Sequence, residues 1–305
     1  MFHLIESQQF SREILFKLFE RADELRGSGS DCLKGKVMAS LFYEPSTRTR
    51  LSFESAMLRL GGDVIGTENA REFSSVVKGE SLEDSVRVID DYCDCIVIRH
   101  NEGGAARKAS EVSKVPVINA GDGKGQHPTQ ALLDVYTIYR EFGNLDGLKI
   151  AMVGDLANGR TVRSLCYLLG KFEGIEIVFV SPLNLRMKDD IKKYLIEKNV
   201  KFREENDLNN ILGEVNVIYM TRIQKERMSI EDYERAKGRF VINQFNFELI
   251  NERVRILHPL PHVEEIDLPM SVEENDKKVA YFRQAENGLF VRMALLDFIL
   301  NGKTG

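Results

Sequence analysis

The chain has 305 residues, 43% apolar and 29% charged, with a net charge of −5 at neutral pH. That length exceeds what one hydrophobic core commonly serves, so two domains are expected, and the acidic balance argues against broad nucleic-acid binding. No apolar run approaches the roughly 20 residues of a membrane-spanning helix. Residues 1–6 lack the basic-then-apolar pattern of a secretion signal, and Cys32, Cys93, Cys95 and Cys166 have no disulfide-framework spacing. A cytoplasmic chain with reduced thiols is therefore expected.

Residues 11–26 read as an amphipathic helix, with Ser11 as N-cap and Ile14, Leu15, Leu18, Phe19, Ala22 and Leu25 on one face. Gly27-Ser28-Gly29-Ser30 ends it, and the apolar run 37–43 reads as a strand. Ser46-Thr47-Arg48-Thr49-Arg50 then opens a helical pattern that stops at Gly61-Gly62, with Phe53, Met57 and Leu60 directed at a core. A short strand at 63–66 and a polar loop at 67–79, holding Ser74 and Lys78, come next. Ser81 with Asp84 resembles a capping box, opening a helix whose Leu82, Val86, Ile89 and Tyr92 share a face. Residues 95–98 form a strand that runs into Arg99-His100, a short helix covers 104–112, and a strand covers 115–119. A glycine loop at 121–127 follows. Pro128 sits where a first helical residue belongs, and its helix runs to Gly143 with Leu132, Leu133, Tyr136 and Tyr139 inward. That helix is long enough to carry the chain into a second domain.

The second series places strands at 148–153, 175–180, 200–203, 215–220, 240–242 and 254–257. Helices are expected at 160–172, 188–198, 208–213 and near 230–236. Residues 245–251 suit a helical turn or two, the acidic stretch 264–278 an irregular surface loop, 279–282 a short extended piece, and 285–300 a closing helix. The strands are continuous apolar runs alternating with helices. That is the pattern of an α/β protein with two doubly wound parallel sheets, each covered on both faces.

In such sheets ligands bind beyond the carboxyl ends of the strands, and those ends are rich in anion-binding groups. Strand 37–43 leads to Ser46–Arg50, strand 95–98 to Arg99, and strand 115–119 to His127 and Gln130. In the second series 148–153 leads to Arg160, 215–220 to Arg222 and Gln224, and 254–257 to His258, Pro259 and Leu260. A first helical turn offers free N–H groups and the positive end of a dipole, and Arg48 can grip two oxygens of a phosphate or carboxylate. Taken singly, each feature has an ordinary alternative. Ser46–Arg50 suits a capped surface helix, Arg99 a surface ion pair, Arg160 a pair with Asp155, and Lys78 a solvated loop lysine. Arg222 and Gln224 suit a charged solvated face, and His127 a structural hydrogen bond. Their repetition at strand ends is what favours a cleft between the two sheets that holds a substrate with several negative charges. Other chemistries fit poorly. Pro259 and Pro261 forbid the helix that would make His258 and His262 a metal pair. The segment after residue 153 lacks the dinucleotide glycine fingerprint, and no phosphate loop or nucleophile elbow is present.

Ser46-Thr47-Arg48-Thr49-Arg50 and His127-Pro128-Thr129-Gln130 resemble the two carbamoyl phosphate motifs of the aspartate/ornithine transcarbamoylase family. The run 219–227 and His258-Pro259-Leu260-Pro261 are similar to the aspartate branch, because Pro259 stands where the ornithine branch has a cysteine. The resemblance spans essentially the whole chain. It implies a carbamoyl phosphate-binding domain at 1–128 plus 287–305, an aspartate-binding domain at 129–286, and an active site in the cleft between them. It implies that Ser46, Thr47, Arg48 and Thr49 hold the phosphate, while Arg99, His127 and Gln130 hold the carbamoyl end. Arg48, Thr49, Arg99 and His127 would be the catalytic set. Arg160, Arg222 and Gln224 would bind the carboxylates of L-aspartate, with the backbone of Pro259 and Leu260 against the reacting groups. Ser74 and Lys78 would reach a neighbouring chain's site in a homotrimer, and Glu44 and Arg227 would link the domains on closure. The implied reaction needs no metal, cofactor or covalent intermediate, and neither nucleic acid nor membrane is an expected partner. The resemblance also allows a separate regulatory chain. Two departures stand out: His262 replaces an arginine common in relatives, and Ala157-Asn158 replaces a Lys-Tyr pair of some regulated members. Rival readings are a transcarbamoylase with another amine acceptor and a non-catalytic anion-binding subunit.

Overall fold

The computed structural model describes residues 1–73, 75–223 and 240–302. The chain divides into two compact units, Met1–Tyr136 with Ala285–Gly305, and Thr137–Gln284. Both crossings fall inside helices, Pro128–Phe142 and Tyr281–Asn301. Among the described residues no helix is long and apolar enough to cross a membrane, and all four cysteines are free thiols.

The first unit alternates α1 (Arg12–Gly27), β1 (Val37–Phe42), α2 (Thr47–Arg59), β2 (Asp63–Glu68), the turn α3 (Ala70–Phe73) and α4 (Leu82–Ile89). It continues with β3 (Cys95–His100), α5 (Ala105–Val112), β4 (Val117–Asp122) and α6 (Pro128–Phe142). Its four strands are parallel in the order β2-β1-β3-β4. The core is built where the apolar runs predict it: Ala39, Leu41, Ile96, Ile98 and Val117 pack with Val86, Ala106 and Ala109 of the covering helices. Ser11 caps α1 by accepting from the Ile14 N–H, and Ser81 caps α4 by accepting from the Asp84 N–H.

Four local expectations need correcting. The polar loop at 67–79 contains the turn α3 and a 3-10 turn, Ser75–Lys78. Tyr92 does not share the α4 face. That helix ends at Ile89, the chain tightens through Asp90–Tyr92, and Tyr92 is 61% exposed. The tightening is held by buried Asp90, which accepts from the Ser113 hydroxyl at 2.7 Å and the Lys114 N–H at 2.7 Å. Arg99 lies within β3, opposite Phe42 of β1, rather than after the strand. β4 runs to Asp122 instead of stopping at residue 119. Polar residues can continue that strand because they are satisfied internally: the Asn119 amide donates to the Ile5 carbonyl at 2.8 Å, and its oxygen accepts from the Gly121 N–H at 2.8 Å.

The second unit carries β5 (Lys149–Val153), α7 (Arg160–Leu169), β6 (Glu176–Val180), α8 (Asp189–Glu197), β7 (Lys201–Glu205) and β8 (Val217–Met220). β9 (Ile242–Asn243), β10 (Arg255–Leu257) and β11 (Ile266–Asp267) follow. The main sheet is parallel in the order β10-β8-β5-β6-β7, and β9 pairs separately with β11. Strand 240–242 of the sequence reading therefore lies outside the main sheet. The acidic stretch 264–278 is ordered into β11 and the helix Met270–Asn275, because Ile266 is buried and Leu268 and Val272 pack on the core. Residues 208–213 make only a 3-10 turn, Leu208–Ile211. Val279 makes the extended contact expected at 279–282 by bridging to Ile256, but the closing helix already begins at Tyr281. The helix expected near 230–236 lies outside the described residues.

Each main sheet reverses its order of winding at one point. In the first unit β1 is followed outward by β2 on one side and by β3 and β4 on the other, so the reversal lies between β1 and β3. In the second, β6 and β7 extend one way from β5, and β8 and β10 the other, so it lies between β5 and β8. Connections that leave in opposite directions open a crevice at the carboxyl ends there.

The β5–β8 crevice is shaped by Gly154. Its φ is +115°, and a Cβ there would sit 2.1 Å from the Thr221 carbonyl oxygen. Thr221 is in turn pinned to β5, its N–H and hydroxyl each donating to the Val153 carbonyl at 2.8 Å. Gly154→Ala combines backbone strain with a backbone clash, and should cost about 3 kcal/mol or more in urea unfolding. A variant as stable as the parent would contradict this close approach.

Candidate active site

The first unit places its candidate groups around the β1–β3 reversal. Ser46 is the N-cap residue of α2 by its extended backbone, φ −160° and ψ 92°, yet its hydroxyl makes no cap hydrogen bond. The sequence reading allowed a side-chain cap there; the hydroxyl and the first-turn N–H groups instead keep their capacity for an anion. Thr47, Arg48 and Thr49 are the first three residues of α2; Thr49 is buried while Thr47 and Arg48 are exposed. Desolvation lowers the Arg48 pKa, and no carboxylate among the described residues pairs with it to raise it back. Arg50 is different: it pairs with Glu54 at 3.3 Å and Glu68 at 2.9 Å. Within Ser46–Arg50, Arg48 is thus the guanidinium left for an external anion.

Arg99, at the carboxyl end of β3, donates to Glu44 at 3.2 Å and to the Ala120 carbonyl at 3.3 Å. This realises the ion-pair alternative without removing the group from the strand end. An incoming anion competes with Glu44 for it.

His127 and Gln130 enter at the start of α6. The loop before them is tied to Asp122, whose carboxylate accepts from the Gly104 N–H at 2.8 Å and the Gln126 N–H at 2.9 Å. Gly123 closes this loop at φ +43°, where a Cβ would meet the Asn101 carbonyl oxygen and the Gly103 nitrogen at 2.6 Å. His127 is 4% exposed, with Nδ1 3.4 Å from the Thr129 hydroxyl. The Gln130 amide nitrogen donates to Asp134 at 2.8 Å. A carboxylate accepts only, so this bond fixes the amide's orientation and leaves Gln130 Oε1 to accept from a ligand.

Asp134 was not singled out from the sequence, although a carboxylate among Leu132, Leu133 and Tyr136 is itself a signal, since buried acids need partners. It is fully buried, and its charge opposes the desolvation that pushes buried Arg292 down to about 10. Arg292 donates to the Ser52 hydroxyl of α2 at 2.8 Å. The closing helix, α2 and α6 are thereby joined through polar groups beneath the candidate residues. Lys78 is exposed at the end of the turn Ser75–Lys78; Ser74 lies outside the described residues.

The second unit repeats the arrangement around the β5–β8 reversal. Arg160 is the first residue of α7 and is half-buried. Asp155, its expected alternative partner, accepts from the Asn158 N–H at 3.0 Å. Arg222, also half-buried, follows Thr221 at the end of β8. Gln224 and Arg227 lie outside the described residues. Beside β8, strand β10 ends at Leu257 and delivers His258, Pro259 and Leu260. Leu260 adopts φ +56°, and its N–H donates to His258 Nδ1 at 2.7 Å. His262, the departure from the family pattern, lies 3.1 Å from Glu273, which also accepts from the Tyr281 hydroxyl.

Known proteins share this sequence and fold. Residues 3–140 match the family described as aspartate/ornithine carbamoyltransferase, carbamoyl-P binding domain, and residues 146–299 match its Asp/Orn binding domain. Aspartate carbamoyltransferase 1, chloroplastic, of Pisum sativum is 56% identical over 98% of this chain and 78% of its own length. The catalytic subunit of Methanocaldococcus jannaschii aspartate transcarbamoylase superposes with a TM-score of 0.91 at 48% identity, covering 100% of both chains. Aspartate transcarbamoylase from Trypanosoma cruzi, solved with carbamoyl phosphate and aspartate, gives a TM-score of 0.90 at 37% identity over 98% of this chain and 95% of that one. On this sequence and structural evidence, the chain belongs to the aspartate/ornithine carbamoyltransferase family.

Proposed function

We propose that this chain transfers the carbamoyl group of carbamoyl phosphate to the amine of L-aspartate, giving N-carbamoyl-L-aspartate and phosphate, an early step of pyrimidine biosynthesis. The observation that carries the reading is that both sheets reverse at points flanked by candidate guanidinium groups. A phosphate seats on the first turn of α2, taking N–H groups, the hydroxyls of Ser46, Thr47 and Thr49, and Arg48. The carbonyl oxygen meets Thr49, Arg99 and His127, which donate to the negative charge that develops there. Gln130 Oε1, left as the free acceptor by the amide's bond to Asp134, accepts from the carbamoyl NH₂. Arg160, Arg222 and Gln224 take the two carboxylates of aspartate, and the backbone of Pro259 and Leu260 faces the amine.

The chemistry asks little else of the protein. The amine lone pair forms the new C–N bond, the bond from carbon to the phosphate oxygen breaks, and phosphate leaves with that electron pair. The amine gives up one proton, for which an oxygen of the departing phosphate is one candidate acceptor. Alignment of two bound substrates and donors aimed at the oxyanion supply the acceleration.

Charge selects the acceptor. The second carboxylate of aspartate meets Arg160 and Arg222 with opposite charge, whereas the terminal ammonium of ornithine would meet them with like charge. Supplied with carbamoyl phosphate and either amine, the purified chain should form carbamoyl-aspartate and release phosphate. Product from ornithine and none from aspartate would overturn the assignment.

The active assembly in this reading is a homotrimer in which Ser74 and Lys78 complete a neighbour's site. Support comes from the exposed face near that turn: Ile65 on the edge strand β2, Val77 beside Lys78, and Leu51 and Leu58 on α2 are all large, apolar and exposed. Arg48→Ala and Lys78→Ala chains should each be nearly inactive alone. In a ring, each site pairs one chain with the next, so an equal random mixture should regain about a quarter of the parent activity. No recovery after verified mixing would contradict a shared site.

A further inference from the structure

The loop that delivers Pro259 and Leu260 is organised by one buried imidazole. His258 is 2% exposed. Its backbone N–H donates to the Gln284 side-chain oxygen at 2.8 Å, and Gln284 is itself buried. Nε2 lies 2.8 Å from Glu265 Oε1, and Nδ1 lies 2.7 Å from the Leu260 nitrogen.

A backbone N–H can only donate, so Nδ1 must be the unprotonated nitrogen. The ring proton is then on Nε2, directed at Glu265. That carboxylate is well placed to hold it. Burial alone would raise the Glu265 pKa, but the hydrogen bond from the His258 ring and the backbone N–H groups bring it below the ordinary range. Glu265 is anchored in turn, since its Oε1 accepts from the Val263 N–H at 3.2 Å and its carbonyl accepts from the Ile242 N–H at 3.0 Å.

The consequence reaches the peptide between Pro259 and Leu260. This peptide is trans, so the Pro259 carbonyl points opposite to the Leu260 N–H. With that N–H bound to the buried ring, the carbonyl is turned away from the ring. Leu260 is held at a positive φ that side chains other than glycine disfavour. Without a bound N–H, that backbone has little reason to stay.

We propose that His258, locked by Glu265 as its Nε2–H tautomer, is a positioning residue that aims the Pro259 carbonyl at the amine of the acceptor. This rests on the carbamoyl-transfer reading above. It assigns a role in acceptor binding to a side chain that does not touch the acceptor.

The test compares three variants in steady-state kinetics with both substrates varied. In His258→Asn the amide oxygen can stand in for Nδ1; in His258→Gln the amide nitrogen can stand in for Nε2; His258→Ala supplies neither. His258→Ala and His258→Gln should raise the KM for aspartate about tenfold or more, and His258→Asn should restore it to within about threefold of the parent. The KM for carbamoyl phosphate should stay put in all three. Equal effects of Asn and Gln, or an equal shift in both KM values, would overturn the proposal. A second measurement needs no variant. In the nitrogen-15 NMR spectrum of the parent, His258 should show a pyridine-type Nδ1 and a pyrrole-type Nε2, and the reverse would overturn the assignment. Failure of the parent to carbamoylate aspartate would instead sink the underlying reading.

Discussion

Everything in this molecule follows from covering a parallel sheet on both faces. Such strands bury their side chains in either direction, so they are apolar along most of their length, and polar chemistry is expelled to their ends. All strands of a main sheet run the same way, so those ends lie along a single edge. Where winding reverses, between β1 and β3 and again between β5 and β8, the connections part and leave that edge open. The candidate groups cluster there because the fold leaves them few other places.

A second layer of buried polar groups decides how the exposed groups point. Asp134 turns Gln130, Asp122 holds the loop before His127, and His258 holds Leu260. Each uses an acceptor aimed at an N–H, which removes one orientation and leaves the other. Burial makes this effective, because an unpaired donor or acceptor out of water is costly. The guanidinium groups divide along similar lines. Arg50 is consumed by Glu54 and Glu68, Arg99 is held by Glu44, and Arg48 has no carboxylate partner among the described residues.

Much of the architecture was legible because apolar runs bounded by glycine and polar residues can hardly be anything but strands of a covered sheet. The carboxyl-end motifs were legible for the same reason, as charge placed where apolar runs stop. The errors came where polar residues are buried and satisfied. Asn119 and Asp122 continue β4 because partners outside the strand bond them, and one sequence does not display those partners. Ile266 and Leu268 gave too weak a pattern to reveal order in the acidic stretch 264–278. Asp134 and His258 were missed as supports for a related reason: what they do depends on which N–H group they meet in the fold.

In the proposed reaction the two units divide the labour, the first recognising the leaving group and the second the acceptor. Calorimetric titration of carbamoyl phosphate into Arg48→Ala and Arg222→Ala tests it most directly. A lost charge-assisted contact predicts binding weakened at least about tenfold in Arg48→Ala, and close to the parent in Arg222→Ala. Equal weakening in both variants would contradict the account.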